Sequence, residues 1–160
     1  MTLLEALMAS TLLAMGASAV LLPFNIGAQY EQEDARRTLA LFLGRELMEE
    51  IISKPFDDPD GVFGVGPDAG ESARVLFDNI DDYDGYEDGY GKSVGEIVGI
   101  QNQVIDGVSI QGLHREVSVA YIHVAGQDVG DEPNFVRVEV NMGFKGDNLL
   151  TLRRLVHAPQ

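Results

Sequence analysis

The sequence predicts an α+β fold, in which a long N-terminal helix packs on a C-terminal antiparallel sheet of about four strands. Two patterns support this prediction. Residues 3–28 are apolar at nearly every position and residues 39–51 carry apolar side chains at helical spacing, whereas residues 136–156 alternate apolar and polar side chains around a turn. We therefore divide the chain into a helix over residues 1–53 and a globular head over residues 54–160. In such a fold the helix covers one face of the sheet.

The helix begins with a segment that is long and apolar enough to cross a membrane. Residues 3–28 are apolar at nearly every position, and Glu5 is their only charged residue. A hydrocarbon layer needs about 20 such residues. Residues 17–19, Ala-Ser-Ala, resemble a signal-peptide cleavage site, but nothing basic precedes the run and the run is too long. A signal anchor that tethers an unrelated domain remains an alternative, although it leaves Glu5 unexplained.

Glu5 requires a partner or a function. A carboxylate at bilayer depth costs about 2 to 3 kcal/mol. The free N–H groups and the dipole of a first helical turn offset only about 0.3 to 1 kcal/mol of that cost. Glu5 is therefore the first residue that we expect to serve the function.

The helix continues beyond Tyr30 with charged residues and an apolar face. This face comprises Leu39, Leu43, Leu47 and Ile51. Three pairs of opposite charges lie four residues apart: Glu33–Arg37, Arg45–Glu49 and Glu50–Lys54. Pro55 disfavours helical conformation in the residue before it, so we expect the helix to end by Lys54.

Residues 56–93 are predicted to form a long acidic loop, because turn-forming residues dominate there. Clustered carboxylates and glycines could hold calcium, which takes about 6 to 8 oxygen ligands. An EF-hand does not fit, since aligning Gly85 with its glycine places Ile80 at the first ligand position. The alternative is a solvated loop whose Asp side chains cap turns. The candidate calcium ligands are Asp78, Asp81, Asp82, Asp84, Glu87 and Asp88.

The sheet is predicted over residues 94–158. Residues 136–144 alternate as one strand, residues 146–148 supply a turn, and residues 150–156 return as the hairpin partner. Residues 113–125 and 94–100 are predicted as a third strand and a weaker fourth. The loop tyrosines are expected to pack the loop on this sheet: Tyr83, Tyr86 and Tyr90.

Composition and motifs disfavour several functions. A formal net charge of -15 opposes nucleic-acid binding, since phosphate recognition needs clustered Lys and Arg. Without cysteine, the chain forms no disulfide and no thiolate zinc site. No P-loop, serine elbow or His-Glu-x-x-His motif occurs, and His114, His123 and His157 are expected to be structural. We expect no enzyme and, apart from calcium, no cofactor.

The first seven residues, MTLLEAL, resemble the mature N-terminus of the type IV pilin and type II secretion pseudopilin family. That pattern is a hydrophobic first residue, Thr-Leu, an aliphatic residue and Glu at the fifth position. Met1 stands where many members have Phe, and Pro23 lies one position after a proline that many members carry. Residues 41–58 show a second, weaker resemblance to the minor pilins of mannose-sensitive pili.

The resemblance implies a type IV pilin-like fold and a structural subunit that polymerises through its helix into an extracellular filament. It implies that prepilin peptidase removes a leader before Met1, that the Met1 amine is methylated, and that the subunit enters the filament from the inner membrane through an assembly machinery. The Glu5 carboxylate would then lie against a neighbour's N-terminal amine in a dry core, where losing one partner costs about 3 to 5 kcal/mol. The implied assembly residues are Met1, Glu5, Gly16 and Pro23.

Pro23 has two interpretations. A proline inside a helix removes one hydrogen bond and clashes with the carbonyl four residues back, so residues 19–23 are weakened. This stretch would kink or melt when the subunit leaves the membrane for the filament. Alternatively, Pro23 is one of the prolines that membrane helices tolerate.

Other functional alternatives stay open. Major pilins, minor pilins and pseudopilins share the N-terminal motif, so it does not separate them. A membrane-tethered calcium-binding domain is an alternative of a different class, and it predicts a monomer that tolerates Glu5→Ala. Adhesion, motility, DNA uptake and secretion are all compatible roles for the filament.

Overall fold

A computed structural model describes residues 2–59, 64–124 and 133–158. It contains one helix, α1, at Leu3–Ile52, and four strands: β1 at Glu87–Gly89, β2 at Leu113–Ile122, β3 at Phe135–Phe144 and β4 at Asp147–His157. Three short 3-10 helices lie at Arg74–Leu76, Asp81–Tyr83 and Val108–Ile110. The predicted α+β class, with a long helix on a four-stranded antiparallel sheet, is confirmed.

The chain divides into two units, Met1–Arg36 and Arg37–Gln160, which we call the N-terminal segment and the head. The last part of α1, residues 37–52, therefore belongs to the head. Its buried residues are Ala40, Leu43, Gly44, Leu47, Met48, Glu50 and Ile51. This set confirms the apolar face predicted from the sequence for Leu43, Leu47 and Ile51, and Leu39 packs against the same core.

Gly44 brings α1 close to the sheet. A Cβ atom at this position would lie 3.0 Å from Cγ of Met142 on β3 and 3.1 Å from Cδ1 of Leu152 on β4. The helix ends at Ile52, two residues before Lys54, and the Ser53 hydroxyl donates to the carbonyl of Glu50 at 2.6 Å. This end agrees with the effect expected of Pro55.

The strands follow one another in the order β1-β2-β3-β4, and every neighbouring pair is antiparallel. On β3, Val136, Val138, Val140 and Met142 are at most 1% exposed, which confirms the predicted alternation. The β3–β4 turn lies at Lys145 and Gly146, whose φ angles of 52° and 98° suit a two-residue hairpin turn. Strand β4 therefore begins at Asp147, earlier than the sequence predicted.

The predicted fourth strand at residues 94–100 is wrong. The fourth strand is β1, which pairs Glu87–Gly89 with β2 inside the acidic loop. Val94 and Val98 form only isolated bridges, with Asp88 and Val104 respectively. Glycines explain the difference, because Gly89 and Gly91 have positive φ angles of 94° and 74° that turn the chain after three paired residues. The predicted third strand ends at Ile122, and its residue 125 lies outside the described residues.

Candidate functional site

Glu5 closes the start of α1 with a reciprocal pair of hydrogen bonds. The backbone N–H of Thr2 donates to Oε2 of Glu5 at 2.8 Å, and the N–H of Glu5 donates to Oγ1 of Thr2 at 3.3 Å. This is a capping box, which satisfies two backbone donors that a helix start otherwise leaves free. The Thr-x-x-Glu spacing could have predicted it from the sequence. Met1, the other predicted residue at this end, lies outside the described residues.

The N-terminal segment exposes its apolar surface. Residues 2–34 are all exposed, and α1 contains an 18-residue window that is long and apolar enough to cross a membrane, none of it buried. Three of its hydroxyls are satisfied within the helix, since Ser10, Thr11 and Ser18 donate to the carbonyls of Leu7, Met8 and Ala14 at 2.8 to 2.9 Å. Such side chains add no unpaired polar group in an apolar environment.

Gly16 and Pro23 both lie inside the continuous helix. A Cβ atom at Gly16 would meet no atom within 4 Å, so packing within the described chain does not require glycine there. The helix continues on both sides of Pro23. The assembly roles of both residues stay predictions.

Donors on separate parts of the protein hold four of the six candidate calcium ligands: Asp81, Asp84, Glu87 and Asp88. Oδ1 of Asp84 accepts the N–H of Val119 at 2.8 Å, and Asp81 accepts the hydroxyl of Tyr121. Glu87 pairs with Lys92, with Oε2 and Nζ 3.3 Å apart. Asp88, the fourth, belongs to the buried network described below.

The other two candidates, Asp78 and Asp82, lie beside Glu71, which the sequence analysis did not select. One carboxylate oxygen from each of the three lies within 4.8 Å of the others. Burial and the neighbouring carboxylates of Asp82 and Asp78 raise the pKa of Glu71, although the Asp68 N–H opposes this. Oδ2 of Asp82 also accepts the N–H groups of Asp78 and Asn79 at 2.8 and 3.0 Å. The six candidates thus do not share one site, and calcium binding stays a prediction.

Asp88 and Arg115 form an ion pair with fully buried side chains. Nε of Arg115 donates to Oδ1 of Asp88 at 2.8 Å, and Nη2 donates to Oδ2. Arg115 also donates to the carbonyl oxygens of Leu43 on α1, at 3.2 Å, and of Val98, at 2.6 Å. The N–H of Val98 donates in turn to Oδ2 of Asp88 at 3.1 Å. One guanidinium therefore joins the helix, the loop and β2.

Arg74 forms the second half of this buried network. Its Nε donates to Oε1 of Glu50 at 2.8 Å, and the Tyr83 hydroxyl donates to the same oxygen at 2.7 Å. Glu50 therefore pairs with Arg74. The pair with Lys54, which the four-residue spacing predicted, is not formed. Lys54 instead donates to the carbonyl oxygen of Phe77 at 2.5 Å. Spacing within one helix could not reveal these distant partners.

Two of the three loop tyrosines pack as predicted. Tyr83 is fully buried and Tyr86 is partly buried against the core, with the two rings 6.3 Å apart. Tyr90 is 54% exposed, so its predicted packing is wrong. Its backbone N–H donates to the carbonyl oxygen of Leu113 on β2 at 2.8 Å, so the backbone of Tyr90 meets the sheet while its side chain is exposed.

His114 and His157 lie too far apart to bind one metal. His114 on β2 lies opposite Gly143, whereas His157 on β4 lies opposite Phe135, eight residues away along β3. Eight strand residues span about 26 Å. His123 lies just beyond the end of β2.

Comparisons of the chain with protein-family models, with curated proteins and with solved structures found no match.

Proposed function

We propose that this protein is a structural subunit of a type IV pilus-like filament, and that it polymerises through α1. One observation carries the proposal: an exposed apolar helical segment, with the acidic residue Glu5 in the capping box at its start, precedes a folded head. The resemblance of the first seven residues to pilins and pseudopilins points to the same function.

The exposed apolar surface explains why such a segment must be covered by lipid or by other helices. Burying apolar surface is worth about 25 cal/mol per Å², so exposed leucines favour a lipid bilayer or a bundle of helices over water. A bilayer accommodates the segment before assembly, and neighbouring copies replace the lipid afterwards. We propose the inner membrane and the extracellular filament as the two locations, with prepilin peptidase and an inner-membrane assembly machinery as the partners between them.

Glu5 has a specific role in this proposal. In the filament, the Glu5 carboxylate pairs with the N-terminal amine of the next copy. Its hydrogen bond from the Thr2 N–H is then either broken or kept beside this pair. The helix surface around it is apolar, so the amine is the cation that would compensate this charge in a dry bundle. The charge thereby favours one axial register among the apolar helices.

The test expresses Glu5 variants with the native assembly machinery and measures the mass of filaments sheared from the cells. Glu5→Ala loses both the charge and the cap, whereas Glu5→Gln keeps an oxygen that can accept the Thr2 N–H. We expect both variants to lose at least about nine tenths of the filaments, since a lost ion pair of about 3 kcal/mol exceeds a tenfold effect. Thr2→Ser, which keeps the capping hydroxyl, should assemble normally.

Cryo-electron microscopy of the sheared filaments identifies the subunit. Density for this chain in the wall, with Met1 beside a neighbour's Glu5, would support a major subunit. If filaments form from another chain and this one is present in small amounts or remains in the membrane, a minor pilin or pseudopilin replaces the major-subunit proposal. If Glu5→Ala has no effect and the protein stays a membrane monomer, a tethered domain replaces it.

A further inference from the structure

The head part of α1 has an exposed side that combines apolar and charged residues. Leu41 and Phe42 are 40% and 65% exposed, although α1 buries Leu43 and Leu47 on its opposite side. Arg45 and Glu49 are exposed on the same side as Phe42, since residues three, four and seven positions apart share a helix face. We call Leu41, Phe42, Arg45 and Glu49 the outer helix face.

The two charges of the outer helix face have no side-chain partner in the part of the subunit that the structure describes. Arg45 and Glu49 lie four residues apart, yet no ion pair or hydrogen bond joins either side chain to another residue in the described ranges 2–59, 64–124 and 133–158. The predicted intrahelical pair is therefore not formed. Glu46, next to them, has such a role, because its Oε1 accepts the N–H of Ile100 at 3.1 Å.

We propose that the outer helix face is a contact between successive copies of this chain, in which Arg45 of one copy pairs with Glu49 of the next and Phe42 packs between them. The proposal rests on the filament function proposed above. Two parallel copies of α1 displaced by four residues, about 6 Å along the axis, bring Arg45 level with Glu49.

The charges of Arg45 and Glu49 also indicate which partner binds the outer helix face. Each copy offers Arg45 to one neighbour and Glu49 to the other, which makes the contact heterologous and allows it to repeat without closing. A lipid surface would favour the exposed Leu41 and Phe42 but would give no paired role to a cation and an anion one turn apart. The face is thus complementary to a second copy of itself.

Two single charge reversals and their mixture test the proposal in cells that carry the assembly machinery. In Arg45→Glu, two glutamates meet at each contact, and in Glu49→Arg two arginines meet. We expect each variant alone to lower the mass of sheared filaments about tenfold, since like charges at a contact oppose association. Co-expression of both variants should restore filaments to within about twofold of wild type, because alternating copies again place opposite charges together.

The mixture separates a contact between copies from an effect inside one helix. If each variant still assembles at the wild-type level, or if the mixture stays at the level of the single variants, the proposal is overturned. Phe42→Ala should also lower the yield about tenfold, with Phe42→Leu less affected, because the larger apolar side chain is buried only in the contact. The wild-type chain in the same cells reports on the filament function separately: its absence from the sheared filaments would refute that function, whatever the charge reversals do.

Discussion

Glu50 is a buried carboxylate on α1 whose charge is held by residues of the loop. It is 8% exposed and accepts hydrogen bonds from Arg74 and Tyr83. Burial raises the pKa of Glu50, but the bonds from Arg74 and Tyr83 and the positive charge of Arg74 outweigh it, so the pKa lies below 4.5. The ionised form is therefore the one that stabilises the head.

This lowered pKa predicts a loss of stability in acid. Because the folded pKa lies below the unfolded value, the stabilisation is present above pH 4.5 and is lost as the pH falls through the folded pKa. We expect Glu50→Gln to lower the free energy of unfolding by about 2 kcal/mol at pH 7, and by less as the pH falls below about 4. Urea unfolding of the full chain in detergent micelles, followed by tyrosine fluorescence, measures both values.

Because Asp81 has the opposite pH dependence, wild type must be compared with Glu50→Gln at each pH. Burial raises the pKa of Asp81, although the bond from Tyr121 lowers it, so its contribution is lost as the pH rises. The difference between wild type and Glu50→Gln cancels this opposite trend. A difference that stays constant from pH 7 to pH 3 would contradict the role of ionised Glu50.

Among the elements, β2 and β3 meet where a histidine lies over a glycine. His114 is paired with Gly143, next to an irregularity in the β3–β4 register between Met142 and Gly143. A Cβ atom at Gly143 would lie 2.3 Å from Nε2 of His114 and 2.9 Å from the carbonyl oxygen of Asp147. The sheet therefore accommodates the buried imidazole only because position 143 has no side chain.

Gly143→Ala should destabilise the head. The new methyl group must displace the His114 ring or the backbone, and such overpacking costs about 1 to 3 kcal/mol. The cost should shrink in a His114→Ala background, where the ring is absent. Gly95→Ala is the matched control, since its Cβ would meet nothing within 4 Å, and it should change the free energy of unfolding by less than about 0.5 kcal/mol. Equal stability of Gly143→Ala and the control in urea unfolding would refute this account.

At the scale of the whole molecule, the head is joined by one buried charged network. Arg115 on β2 contacts Asp88 on β1, the carbonyl of Leu43 on α1 and the carbonyl of Val98 in the following loop. Arg74 lies 4.0 Å from the same Asp88 and extends the network to Glu50. Buried charges of this kind hold their surroundings in one arrangement only while every partner is present.

Removing one member of the Arg115 and Asp88 pair should be costly. Arg115→Met and Asp88→Leu should each lower the free energy of unfolding by about 3 to 5 kcal/mol, since each leaves the other charge buried. The double variant should cost less than the sum by more than about 1 kcal/mol. Thermal unfolding followed by circular dichroism measures the stability of the two single variants and of the double variant.

The exposed Arg153 supplies the control. It lies 3.1 Å from Glu139 with its side chain 68% exposed, so Arg153→Met should change stability by at most about 1 kcal/mol. Strictly additive costs for the Arg115 and Asp88 variants would mean that the two charges do not stabilise one another.

The sequence alone determined the local elements of this protein. Helix α1, the β3–β4 hairpin and the α+β class follow from periods of 3.6 and 2 residues, together with Pro55 and Gly146, because these signals act between near neighbours. The position of Glu5 in the first helical turn was predicted for the same reason. Its capping box with Thr2 also lies within four residues.

Only the tertiary structure decided which distant groups meet. Glu50 lies four residues from Lys54 but pairs with Arg74, 24 residues away, and Arg115 reaches the carbonyl of Leu43 across 72 residues. Packing brings these groups together and removes them from water, and this burial makes each partner obligatory. The same packing divided the predicted calcium ligands between separate partners. It also left Arg45 and Glu49 without a partner among the described residues, since a contact depends on the fold and not on spacing along the chain.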